Sequence, residues 1–101
     1  MNPMQQMVIQ MQKAQRELQK AHEEFESKEF KINKAGLVEI TVLGSKEIVS
    51  IKVEEDGFEP DNKEMIEDLI KDGLNELFEQ IDEAIAEIDE KIAGKTGGFG
   101  F

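Results

Sequence analysis

The sequence predicts an α+β fold of order α-β-β-β-α, in which two long helices flank a three-stranded antiparallel meander. Three observations predict it. Apolar residues recur at steps of three and four from Met4 to Phe25, alternate at every second position between Phe30 and Val53, and return to helical spacing from Ile66 to Ile92. Short glycine-containing segments, Asn33-Lys34-Ala35-Gly36 and Leu43-Gly44-Ser45-Lys46, divide the alternating region into three runs. The 101 residues, 39% of them hydrophobic, suffice for one domain and no more.

The first helix is expected over about residues 4–27. Met4, Met7, Met11, Ala14, Leu18, Ala21 and Phe25 form an a/d heptad seam, widened by Val8. Gln, Lys, Arg and Glu fill the positions between, and all are good helix formers. Pro3 suits the first turn, with Asn2 as N-cap. The stripe reads either as ordinary core or as an intermolecular seam, and Ala14 and Ala21 are small enough to let another helix come close.

Strands are expected at about 29–34, 37–43 and 47–54, where β-branched residues alternate with polar ones. Each turn carries a glycine to take positive φ. An acidic connection then leads to Asp61 and Glu64, spaced as in a capping box. The second helix is expected over about 61–93, some 48 Å at 1.5 Å per residue. Its apolar face includes Leu77, Ile81 and Ile88, with Gly94 as C-cap and 94–101 as a flexible Gly-rich tail. Gly73, in mid-helix, implies the close approach of another backbone.

These lengths predict a homodimer. A seven-residue strand is roughly 23 Å long, so the sheet covers only about half of the second helix. Uncovered apolar stripes of that size are rare on soluble monomers. Sharing helices and sheet edges with a second copy solves the problem, and the seam of Met11, Leu18, Phe25, Leu77, Ile81 and Ile88 is divided between core and dimer contact.

Charge narrows the function. The net charge is −11, but residues 1–34 carry +1 while residues 54–93 carry −13. There is no cysteine, which excludes disulfides, thiolate metal sites and cysteine nucleophiles and fits a reducing cytoplasm. No basic segment leads into an apolar run, and no apolar stretch approaches ~20 residues, so neither leader nor membrane span is expected. His22, the one histidine, forms no His-based metal site alone and has no serine and acid placed for nucleophilic chemistry. It is expected at the surface. Gly94-Lys95-Thr96 lacks the upstream glycine of a P-loop, Asp89 standing there. The acids from Glu54 to Asp61 lack the calcium-loop order and read as a solvated turn. No enzyme activity, cofactor, metal or small-molecule substrate is expected.

Lys13, Arg16 and Lys20 share one face of the first helix, away from the seam, with Gln6, Gln12 and Gln19 nearby. Two readings remain open: a solvated face balanced by Glu17, Glu23 and Glu24, or a stripe that contacts phosphates and releases counterions. Lys28, Lys31 and Lys34 continue the positive charge toward the first strand. No base-reading motif is present.

The chain resembles the YbaB/EbfC family of bacterial nucleoid-associated proteins. The resemblance rests on Ala35-Gly36-Leu37-Val38-Glu39-Ile40-Thr41-Val42 followed by Gly44, on Val49 and Ile51, and on Asn62 through Ile70 followed by Asn75. The Met- and Gln-rich first helix and Gly-Phe tail agree. It implies a tweezer-shaped homodimer with projecting helices, in the cytoplasm and nucleoid, that binds duplex DNA with limited sequence preference. One departure matters. The second helix carries Glu76, Glu79, Asp82, Glu83, Glu87, Asp89 and Glu90 against Lys91 alone, so DNA contact is expected from the first helix, through Lys13, Arg16, Lys20, Gln6 and Gln19. The alternative is an acidic adaptor that docks a basic protein without touching DNA.

Overall fold

A computed structural model describes residues 2–95, with side chains to Ile92. The element order is α1 (Pro3–Glu26), β1 (Glu29–Lys34), β2 (Val38–Leu43), β3 (Ile48–Val53), two short 3-10 turns (Glu55–Phe58 and Pro60–Asn62) and α2 (Lys63–Lys95). The chain is therefore α+β, with the meander between the helices in sequence. The strands pair antiparallel in the order β1-β2-β3. Residues 96–101 of the expected tail lie outside the described residues.

Local chemistry explains the ends of α1. Asn2 caps the helix, its Oδ1 accepting from the Gln5 N–H at 2.8 Å, and Pro3 occupies the first turn, where no donor is needed. At the other end Ser27 takes over, and the Lys28 N–H returns to the Phe25 carbonyl at 3.0 Å. α2 departs from expectation at both ends. Asp61 forms no capping box; it lies in a 3-10 turn, and Asn62 instead donates from Nδ2 to the Asp56 carbonyl at 2.9 Å. The helix runs on through Gly94 to Lys95.

The two hairpin turns differ. Ala35 and Gly36 both have positive φ, 57° and 69°, the pattern of a type I′ turn, and Asn33 Oδ1 accepts from the Gly36 N–H at 3.0 Å. In the second turn the left-handed residue is Lys46, at φ 74°, and not Gly44. Gly44 is needed for space: a Cβ there would fall 2.0 Å from the Phe25 carbonyl oxygen. The turn is fastened against the end of α1 by Gly44 N–H to Lys28 O at 2.9 Å and Ser45 N–H to Glu26 O at 3.2 Å. Gly44→Ala must push these segments apart. We expect a loss of about 1–3 kcal/mol, typical of overpacking, read as a lower urea midpoint; an unchanged midpoint would contradict this packing.

The core lies between α2 and one face of the sheet, closed at one end by α1. Val38, Ile40 and Val42 of β2 meet Ile66, Leu77 and Ile81 of α2, and Phe25 of α1 joins them. Phe25 also stacks at a tilt on Phe30, centroids 5.4 Å apart. Each such burial is worth roughly 1.5–3 kcal/mol. Gly73 admits a side chain, not the backbone that the sequence suggested. Its missing Cβ would sit 2.8 Å from Ile40 Cδ1, so the glycine lets α2 settle onto β2.

A single chain covers much of the apolar face of α2 by itself. Leu77 and Ile81 are 0% exposed within one chain, and Ile85 and Ile88, further along α2, pack against the same core. The C-terminal half of α1 covers the part of α2 that the sheet cannot reach. His22 Nε2 bridges the helices, 2.7 Å from Asp89 Oδ1. What stays uncovered is elsewhere: Met4, Met7, Val8, Ile9 and Met11 on the N-terminal half of α1, Ile48, Val49 and Ile51 on β3, and Phe58 and Met65 after it. The molecule is correspondingly long, 72 × 22 × 14 Å.

Candidate nucleic-acid interface

α1 presents two opposed faces. At about 100° per residue, Met4, Met7, Met11, Leu18 and Phe25 cluster on one side, and Ile9, Lys13, Arg16 and Lys20 on the other. The seam ends in the core at Phe25, so the basic face is turned to solvent. Lys13, Arg16 and Lys20 are all exposed, and with Ile9 and Glu17 they line one shallow, open depression. Of the five residues singled out in the sequence, these three are brought together. Gln6 and Gln19 are exposed on the flanks; Gln19 Nε2 donates to Glu23 Oε1 at 3.3 Å, which occupies one nearby carboxylate.

Some cations of the chain are held by neighbouring groups. Lys34 pairs with Glu76 at 2.6 Å, Lys46 with Asp82 at 2.9 Å and Lys63 with Glu67 at 3.8 Å. Lys28 sits 5.5 Å above the Phe30 ring. Lys34 therefore does not extend the basic stripe: it is held against α2. By contrast, Lys13, Arg16 and Lys20 join none of the four ion pairs among the described residues. Arg16 only returns Nε to the Gln12 carbonyl, at 3.4 Å, which leaves most of its guanidinium donors outward.

Helix packing adds a residue that sequence reasoning set aside. Lys91 lines a groove between the helices together with Lys20, Glu17, Ala21, Glu24, Ile88 and Ile92. Lys91, near the end of α2, is thus delivered to the end of the α1 stripe. Its signal was invisible in the linear pattern, because only the antiparallel packing of the helices joins positions 20 and 91. On the other side, the carboxylates of Asp72, Glu79, Glu83, Glu87 and Glu90 are exposed along the face of α2 opposite its core side. The charge separation seen along the chain becomes a separation between surfaces.

Comparison with known proteins bears on this surface. The sequence profile of the YbaB/EbfC DNA-binding family matches residues 1–96. The chain belongs to the YbaB/EbfC DNA-binding family. A nucleoid-associated protein of Agathobacter rectalis is 48% identical over 63 residues, 62% of this chain and 56% of its own length. One of Clostridium novyi is 40% identical over 86 residues, covering 84% and 75%, and one of Mycoplasmopsis pulmonis is 37% identical over 86 residues, covering 85% of both chains. The match spans little more than half the length of the A. rectalis relative and of one from Lachnoclostridium phytofermentans, at 56% and 55%. The exposed stripe of Lys13, Arg16 and Lys20 on α1 stands apart from the exposed carboxylates of α2. No helix among the described residues is long and apolar enough to cross a membrane.

Proposed function

We propose that the chain is a nucleoid-associated protein that binds duplex DNA as a homodimer, with limited sequence preference and mainly through α1. The observation that carries this reading is the unpaired stripe of Lys13, Arg16 and Lys20, flanked by Gln6 and Gln19, in a member of a DNA-binding family. Ammonium and guanidinium groups spaced along a helix meet phosphates and carry no base code. Binding is confined to one face by the acids of α2, so it is weak and salt-sensitive. It takes place in the cytoplasm, on the nucleoid, and involves no catalysis.

The homodimer is best served by β3. This strand is an edge, and Ile51 and Ile48 share the core face with their partners Ile40 and Val42, yet they stay 41% and 47% exposed. α2 packs over β1 and β2. Antiparallel pairing of β3 with its copy about a two-fold axis would set Ile48 beside the partner's Ile51 and Glu47 beside the partner's Lys52. Edge hydrogen bonds, apolar cover and opposite charges are then all matched. Two α1 helices would project from a continuous sheet, as in a tweezer.

Gel-shift titration of the purified chain against two equal-length duplexes of unrelated sequence tests the DNA reading, which expects both to bind with similar affinity. Absence of binding to either would sink it. A second reading, an adaptor for a basic protein, is favoured by the exposed acidic face of α2. It predicts a partner retained from nuclease-treated lysate together with no shift of DNA. For the dimer, Ile51→Lys is expected to convert a sedimenting dimer to monomers; an unaltered mass would remove β3 from the interface.

A further inference from the structure

We propose that the N-terminal half of α1 is a second self-association surface, through which separate dimers pair arm to arm and so bridge two duplexes. The proposal goes beyond the homodimer just described and uses different residues. Residues 2–12 hold no charged side chain, in a chain in which 35% of residues are charged. Within this segment Met4, Met7, Val8 and Met11 are 76%, 54%, 48% and 47% exposed. They continue the heptad seam that, further along, ends in the core at Phe25. The surface is thus the exposed start of a helix seam that becomes half-buried at Ala14, Leu18 and Ala21 and reaches the core at Phe25.

Charge selects the occupant. Two copies of a chain with net charge −11 repel each other over most of their surface. On this arm they do not, because Asn2, Pro3, Met, Val, Ile9 and Gln, all uncharged, are what it presents. A basic partner would gain nothing here and would prefer α2; a nucleic acid would prefer the opposite face of α1. A second copy fits both the apolar stripe and its uncharged flanks. Meeting antiparallel, two arms can place Met7 beside the partner's Met11 and Met4 beside the partner's Ala14, large against small. An unsupported helical arm of this length is marginal in water, and pairing supports it. The stripe of Lys13, Arg16 and Lys20 lies on the far side and stays free for phosphates.

The test uses the full chain and the variant Met4→Gln/Met7→Gln/Met11→Gln, which keeps near-equal helix propensity and adds no charge. Sedimentation over a concentration series is expected to show a reversible step from dimer to tetramer. The variant should weaken that step by about 100-fold or more, as expected for removing six apolar side chains from one contact. A bead-bound duplex should capture a free labelled duplex with the wild-type chain and not with the variant, while gel shifts of a single duplex stay alike. Wild-type protein that never exceeds a dimer and never bridges overturns the proposal, as does a variant that assembles and bridges like wild type. A wild-type chain that steps only from monomer to dimer overturns the pairing of dimers, and if the variant also removes that step, the β3 dimer falls with it.

Discussion

Lys13→Glu/Arg16→Glu/Lys20→Glu abolishes the shift of duplex DNA at low salt while leaving helix content and dimer mass as in the wild-type chain. The expectation follows from what each residue does in the fold. All three are exposed and none makes an ion pair, so their loss removes no native contact of consequence. Surface substitutions of this kind usually change stability by only about 0.5 kcal/mol or less. For DNA the change is large, because the stripe turns from three positive charges to three negative ones and faces the same polyanion. Binding that survives the triple change would take α1 out of the interface and move attention to Lys91 and the sheet.

Ile81→Asp has the largest expected effect on the fold. Ile81 is 0% exposed and lies against Leu77 and the inner face of β2, with no polar group among the core residues to receive a carboxylate. An unpaired charge at such a place costs several kcal/mol, against a total stability of roughly 5–15 kcal/mol for a domain. We expect a chain without cooperative thermal unfolding in circular dichroism. Leu18→Asp offers the contrast: Leu18 is half-buried on α1 and outside the core cluster, so its carboxylate turns to water and the fold persists with reduced stability. Equal losses at the two positions would mean that the seam has been misassigned between core and surface.

That division between Ile81 and Leu18 shows what could be read from the sequence. Period and turn chemistry located all five main elements, because local geometry is written locally: Asn2 before Pro3, Asn33 ahead of Ala35-Gly36, alternation across Val38, Ile40 and Val42. Which stripe is core and which is left over depends on how the helices cross, and no periodicity states that. The sequence places Leu77 and Ile81 in a seam divided between core and dimer contact without saying which, and in the fold a single chain buries both. Gly44 and Gly73 were recognisable as special positions, but their reasons, the Phe25 carbonyl and the Ile40 side chain, come from distant residues. The candidate site behaved in the same way. Lys13, Arg16 and Lys20 were legible as one helix face; the loss of Lys34 to Glu76 and the arrival of Lys91 beside Lys20 are products of tertiary packing.

The most direct measurement is the affinity of the wild-type chain for a duplex of fixed length across a range of salt concentrations. Three phosphate contacts per chain in a dimer, at about −0.9 each, give a slope of log affinity against log salt of about −5. The Lys13→Gln/Arg16→Gln/Lys20→Gln variant should bring that slope close to zero. A wild-type slope already near zero, or one that the variant leaves unchanged, would contradict an interface built on the basic face of α1.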